Sequence, residues 1–143
     1  MKTVIIGAGA CGASCATRLR RLDENCEITI LERTSEISIA NCGLPYYCSD
    51  VISEREKILV SNIDKFKNMF NIDVRINCEI TEIKRDEKCV VSKDGEKFYY
   101  DKLVLAQGAN PAKPPIEGIE DKNIITLRTL DDADRIKNYI SQN

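Results

Sequence analysis

The sequence predicts an α/β fold, a parallel βαβ sheet with an inserted antiparallel β-meander. Three observations predict it. The apolar run Thr3 to Ile6 passes through Gly7-Ala-Gly9-Ala-Cys-Gly12 into small and apolar residues at helical spacing, the order strand, tight turn, helix. A second strand-like run, Glu27 to Leu31, ends on Glu32, 20 residues after Gly12. From Cys78 to Tyr100 short alternating runs are separated by polar turns, one of them Asp94-Gly95, a strong hairpin signal.

The opening stretch fits the dinucleotide-binding fingerprint of a Rossmann-like unit. Gly7 suits the sharp turn, Gly9 a close backbone approach to a pyrophosphate, and Gly12 tight packing of helix on strand. The free N–H groups at the helix start suit an anion, and an acid placed as Glu32 is suits the ribose hydroxyls. Glycines alone are weak evidence. The acid at the end of the second strand makes the motif specific.

The remaining elements follow in order. Ala10 to Leu22 reads as a helix, with Arg18, Arg20 and Arg21 as either a solvated face or an anion cradle. Glu27 to Glu32 is a strand and Arg33 to Ala40 a loop. Pro45 marks a helix start, with Cys42 just ahead of it, where the positive helix end favours a thiolate. Ile58 to Phe70 reads as an extended piece and then a helix, with Ile63, Phe66 and Phe70 on one face. Ile72 to Ile76 is a strand, and Cys78 to Lys84, Lys88 to Ser92 and Lys97 to Tyr100 form the meander. The apolar run ending at Gly108 reads as a buried parallel strand. Pro111, Pro114 and Pro115 mark a linker, Ile124 to Leu127 a short strand, and Asp131 to Ile140 a helix with acids in its first turn.

Composition narrows the function. The 143 residues carry 21 basic and 23 acidic side chains, so no basic surface for nucleic acid or anionic membrane is expected, and no segment has the length of a membrane span. A cytoplasmic location is expected. Seven cysteines, Cys11, Cys15, Cys26, Cys42, Cys48, Cys78 and Cys89, form neither a secreted disulfide framework nor a zinc-ligand pattern. Cys15, Cys26 and Cys78 suit small core hydrophobes, and Cys89 a structural place in the meander. The chain has no histidine, so acid–base work falls to other groups.

Taken together these stretches resemble the pyridine nucleotide–disulfide oxidoreductases, along essentially the whole chain. Gly7 to Gly12 with Glu32 looks like the FAD fingerprint of that family. Ser38-Ile-Ala-Asn41-Cys42-Gly-Leu-Pro45-Tyr-Tyr looks like the single-cysteine site of its coenzyme A disulfide reductase and NADH oxidase branch. Ala106-Gln107-Gly108-Ala109-Asn110-Pro111 resembles its second flavin motif, with glutamine where threonine is usual.

The resemblance implies an incomplete FAD/NAD(P)-binding domain with FAD as cofactor and NAD(P)H as reductant. It implies that Gly7, Gly9, Ala10, Cys11 and Gly12 cradle the pyrophosphate, that Glu32 holds the ribose, and that the Ile80 backbone meets the adenine. Arg33, Asn41, Ala106 and Gly108 are further cofactor contacts, and Cys42 is the redox cysteine against the flavin. Arg21, Ser38 and Asn41 match positions near a coenzyme A substrate. The substrate so implied is a small-molecule disulfide or oxygen, and the whole protein a homodimer. Ala10 stands where peroxidases of the branch carry histidine, and the basic residue usual in the third helix region falls near Phe70.

Dithiol members of the family carry two cysteines five positions apart, whereas Cys42 and Cys48 are six apart and would point away from each other on a helix. No second GxGxxG follows Gly12. The chain therefore reads as residues 1–143 of a discontinuous FAD-binding domain: a core to about 112, then a connector, 113–143, toward an NAD-binding domain not present here. On that reading it is inactive alone and holds FAD weakly. A stand-alone nucleotide-binding module and a partner-completed subunit remain alternatives.

Overall fold

The computed structural model describes residues 1–142. The chain divides into two compact units, Met1–Ser38 with Ser61–Gly108, and Ile39–Val60 with the chain from Ala109 onward.

The first unit holds a four-stranded parallel sheet of order β3-β2-β1-β7. Its strands are β1 (Lys2–Ile6), β2 (Glu27–Leu31), β3 (Asp73–Arg75) and β7 (Lys102–Leu105). β1 lies centrally, with Ile5 opposite Ile30 on one side and Val104 on the other. Helix α1 (Ala10–Leu22) follows β1 and helix α3 (Ile63–Phe70) precedes β3. Ile5, Ala13, Ala16, Ile28, Ile30, Phe66 and Ile72 make the core between these helices and the sheet. Small residues on α1 let the helix approach the strands closely, which is what the alanines at 13 and 16 provide.

The meander comprises β4 (Ile80–Lys84), β5 (Cys89–Ser92) and β6 (Lys97–Tyr99), paired antiparallel in chain order. It belongs to a second core of Val4, Leu31 and Val90, with Cys78, Ile80, Phe98 and Leu103 packed on it. The central strands β1 and β2 are thus covered on both faces, whereas β7, at the sheet edge, is only half-buried with Leu105 exposed rather than the buried strand expected. Gly95 turns the β5–β6 hairpin at a φ of +86°, a conformation glycine adopts without a Cβ penalty. Cys26 and Cys89 are buried.

Arg20 is neither a solvated side chain nor an anion cradle. Its guanidinium donates to the carbonyls of Phe70 at 2.8 Å, Asn71 at 2.8 Å and Glu24 at 2.6 Å, tying the end of α1 to the end of α3. These acceptors are otherwise orphaned carbonyls at and just past helix ends.

In the second unit a 3-10 turn, Asn41–Gly43, runs directly into helix α2 (Leu44–Cys48). A second 3-10 turn spans Arg55–Ile58, and helix α4 (Leu130–Gln142) closes the unit. Leu44, Tyr47, Ile58, Leu130 and Ala133 form its core. Two expectations are corrected. Ile58 lies at the end of the 3-10 turn rather than in an extended piece, buried and accepting the Ala40 N–H at 2.8 Å. Residues 124–127 form no strand; Leu127 packs against the α2–α4 core instead.

Helix α4 starts at Leu130, one residue before the expected start, because of a capping box. The Thr129 hydroxyl accepts the Asp132 N–H at 3.1 Å, and the Asp132 carboxylate accepts the N–H groups of Thr129 at 2.8 Å and Arg128 at 3.1 Å. Burial pushes the Asp132 carboxyl up, but the bonds from Thr129, Arg135 and Arg128 outweigh it and hold the group below its ordinary value.

Candidate functional site

The glycine loop between β1 and α1 is built by backbone contacts. Gly7 has a φ of +100°, and a Cβ there would stand 2.7 Å from the Ala106 carbonyl carbon and 3.1 Å from the Gln107 Cα. At Gly12 a Cβ would overlap the Gly7 oxygen and stand 3.3 Å from Ile5 Cγ2. These two glycines are required by the protein's own packing. Gly9 is different: its φ of −67° and ψ of −174° suit any residue, and a Cβ would meet nothing within 4 Å. The space beside Gly9 is left open by the protein.

The first bond inside α1 runs from the Ala13 N–H to the Gly9 oxygen at 2.9 Å. The N–H groups of Ala10, Cys11 and Gly12 precede it and have no partner within the helix. No acid lies in the first turn of this 13-residue helix to occupy its positive end. The loop therefore fits the pyrophosphate of a dinucleotide such as FAD: an open approach at Gly9, free donors behind it and a favourable field.

Glu32 follows β2 and is half-buried. Its Oε2 accepts the Ala8 N–H at 2.7 Å, and its Oε1 accepts the Thr34 N–H and hydroxyl, each at 2.9 Å. Three bonds hold the carboxylate in place, and an ionised carboxylate offers about four acceptor sites. Glu32 is thus fixed beside the loop with accepting capacity left over for a ligand hydroxyl.

Next to Glu32 lies a cleft of about 160 Å³ bordered by Gly7, Arg33, Cys78, Glu79, Ile80 and Gln107. Arg33 and Ile80 thus border the same cleft as Glu32. Cys78, Glu79 and Gln107 were not read from the sequence as site residues. The parallel pairing of β3 with β2 brings Cys78 and Glu79 there with no local signal to announce them, whereas Gln107 lies within the Ala106–Pro111 stretch already singled out and is placed by the pairing of β7 with β1. Ala106 is half-buried at the end of β7 and its carbonyl faces Gly7, while Gly108 beyond it has a φ of +70°.

The candidate coenzyme A residues fall in both units. Arg21 is exposed in the last turn of α1, about 16 Å along the helix from Ala10. Ser38 has a φ of +53° and donates its N–H to the Ala8 oxygen at 2.9 Å. Asn41 and Cys42 are exposed in the second unit. Cys42 sits inside a 3-10 turn closed by the Gly43 N–H on the Ala40 oxygen at 2.8 Å, rather than ahead of an isolated helix. A Cβ at Gly43 would stand 2.9 Å from Ile58 Cδ1, so a larger residue here would make the end of the Ile58 side chain shift.

Behind the turn, α2 is clamped to α4. The Tyr47 hydroxyl donates to Asp134 at 2.9 Å, Arg55 pairs with the other oxygen of Asp134 at 3.1 Å, and the Lys137 ammonium lies 4.4 Å from the Tyr47 ring centre. Burial pushes the Tyr47 hydroxyl and the Cys48 thiol up. The Cys48 sulfur faces the Ala133 oxygen at 3.8 Å, turned toward α4. Among the described residues no cluster of histidine, cysteine or acids could hold a metal, and no helix is long and apolar enough to cross a membrane.

The parallel sheet, the covering helices and the glycine turn beside an anchored acid define a Rossmann-like α/β protein. Residues 1–142 match the family described as pyridine nucleotide-disulphide oxidoreductase, and the chain belongs to that family. It is 38% identical over 146 residues to a coenzyme A disulfide reductase of Staphylococcus haemolyticus, covering 99% of this chain and 32% of that protein. It is 39% identical over 141 residues to a CoA-dependent NAD(P)H sulfur oxidoreductase of Pyrococcus abyssi, covering 98% and 31%. Among solved structures, reduced Bacillus anthracis CoADR-RHD superposes with a TM-score of 0.91 at 46% identity, covering 99% of this chain and 26% of that one. An NAD-dependent persulfide reductase from A. fulgidus superposes at 0.92 with 39% identity, covering 100% and 28%. The chain spans about a third of the length of the curated relatives it matches.

Proposed function

We propose that this chain provides the adenosine and pyrophosphate side of an FAD site in an NAD(P)H-dependent flavoprotein oxidoreductase, with Cys42 as its redox cysteine. The substrate is a small disulfide of the coenzyme A type, with oxygen as the other candidate acceptor. The observation that carries the reading is the contrast within the glycine loop: Gly7 and Gly12 are fixed by the protein's own backbone, and the space at Gly9 is left for a ligand.

In this reading the N–H groups of Ala10, Cys11 and Gly12 hold the pyrophosphate, Glu32 the ribose, and Ile80 with Arg33 the adenine side. Ala106 and Gly108 at the end of β7, and Asn41, complete the cofactor contacts of this chain. Bound FAD supplies two-electron transfer between a nicotinamide and a sulfur centre. Cys42 presents an exposed thiol on a braced turn, open to a disulfide, and Arg21, Ser38 and Asn41 serve the substrate. The seven cysteines are all unpaired, which supports a reducing, cytoplasmic compartment. The assembly proposed is a homodimer.

Two measurements test this. ADP and FAD should compete for one site in a calorimetric titration, and Glu32→Ala should weaken both. Tight NAD or ADP binding with indifference to FAD would instead favour a plain nucleotide-binding module. Incubation with coenzyme A disulfide should place one coenzyme A on Cys42 by thiol exchange, releasing the other as free thiol, and Cys42→Ser should abolish the adduct. A coenzyme A adduct on other cysteines but not on Cys42 would overturn its assignment.

A further inference from the structure

The cleft beside Glu32 has a wall that the sequence motifs do not supply. Its volume of about 160 Å³ is below the roughly 300–1,000 Å³ of a complete small-molecule pocket, so it accommodates one part of a dinucleotide rather than the whole. Glu32, fixed by three hydrogen bonds, marks the ribose side. Across from it the chain leaves β3, and Cys78 donates its backbone N–H to the Glu32 carbonyl oxygen at 2.8 Å. That bond anchors residue 78 beside the acid; the half-buried Cys78 borders the cleft and packs on the Val4–Leu31–Val90 core.

We propose that the Cys78 side chain is a direct contact of the adenosine half of the bound nucleotide, forming the apolar wall of the cleft between Glu32 and the Ile80 backbone. This rests on the dinucleotide reading of the glycine loop. The chemistry suits the place. A thiol is small, polarisable and weakly polar, fitting the face of a ring without demanding a hydrogen bond. Burial, followed by Glu96 and Asp94, pushes the Cys78 thiol up, which keeps it a neutral S–H at neutral pH. A neutral wall adds no charge to a cleft already bordered by Glu32, Glu79 and Arg33. Cys78 is thus more than a core hydrophobe, since only part of its side chain is buried in that core.

The test follows the thiol itself. The chain is treated with methyl methanethiosulfonate, which leaves an S–CH₃ group on each reacting cysteine, and labelling is resolved peptide by peptide by mass spectrometry with and without ADP. Nucleotide at ten times its dissociation constant should slow labelling of Cys78 about tenfold, as site occupancy dictates. Cys78→Leu, which pushes a bulkier side chain into the cleft, should raise the ADP dissociation constant at least about tenfold, while Cys78→Ala should shift it less than about threefold. ADP binding with no protection of Cys78 overturns the contact while leaving the dinucleotide reading intact. Failure of the wild-type chain to bind ADP or FAD overturns both.

Discussion

Replacing Gly9 by alanine separates the ligand chemistry of the glycine loop from its folding. Two opposing terms act on stability. Alanine reduces the entropy of the unfolded chain, worth about 0.4–1 kcal/mol at a compatible conformation, and the φ and ψ of Gly9 are compatible. At a helix N-cap, however, alanine is poorer than glycine by up to about 1 kcal/mol. The terms cancel to within about 0.5 kcal/mol, and no clash adds to them because the Cβ meets no atom within 4 Å. Binding responds differently. A methyl group in the open approach would hold a pyrophosphate off at least one N–H of α1, and a hydrogen bond to a charged group contributes about 1.5–3 kcal/mol. That corresponds to a roughly ten- to hundredfold weaker dissociation constant. Urea unfolding and ADP calorimetry on Gly9→Ala measure the two effects, with Gly12→Ala as the contrast. The second variant drives a Cβ onto the Gly7 carbonyl, 3.0 Å from its carbon, and should lose about 1–3 kcal/mol with or without nucleotide. A Gly9→Ala protein that loses more than about 1.5 kcal/mol, or that binds ADP as the parent does, refutes the reasoning.

Three further outcomes are expected. Glu32→Ala leaves the N–H groups of Ala8 and Thr34 without their acceptor, so urea unfolding should show a loss of about 1–3 kcal/mol; an unchanged midpoint would show that the carboxylate does not brace the loop. Asp132 has a folded value held below its unfolded one of about 3.9, so its stabilisation is complete above that pH and is lost as pH falls through the folded value. Asp132→Ala should therefore lose stability at pH 6 and show a flatter decline between pH 5 and 2, and parallel curves for the two proteins would exclude this role. Asp134→Ala removes the acceptor shared by Tyr47 and Arg55; amide exchange across residues 44–52 should accelerate while the β1–β2 amides keep their protection, and uniform acceleration would place the clamp's effect elsewhere.

The parts of the fold that were legible in the sequence are those whose cause is local. The bounds of α1 follow from the glycine turn before Ala10 and the polar run after Leu22, and the β5–β6 hairpin follows from Asp94-Gly95. Strand-like composition failed at Ile124 to Leu127 because composition records only apolar character. Whether such a run becomes a strand depends on a neighbouring edge, and here Leu127 finds its burial against helices instead. The 3-10 turn at Arg55–Ile58 has no distinctive residues; Ile58 is held there by burial and by the Ala40 N–H, neither written near it. Arg20 illustrates the same limit, since three of its acceptors belong to Phe70, Asn71 and Glu24, and the first two lie 50 and 51 residues away.

The same division runs through the candidate site and explains its composition. A phosphate is held by backbone N–H groups, which every residue but proline carries, so its holder is written as glycine spacing and a helix start, both visible in sequence. A ring is held by whatever side chains surround it, and these can be drawn from strands distant in the chain. The glycine loop, Glu32 and the Ala106–Pro111 stretch were accordingly legible, whereas Cys78 became a neighbour of Glu32 only once β3 paired with β2. Variation between proteins sharing this loop is therefore expected to concentrate on the cleft wall at Cys78 and Gln107. Exchanging Gln107 for threonine tests this. It should change the affinity ratio between ADP and AMP little, because the phosphate holders are untouched, while shifting the affinity for both together. A change confined to ADP would place Gln107 at the phosphate instead.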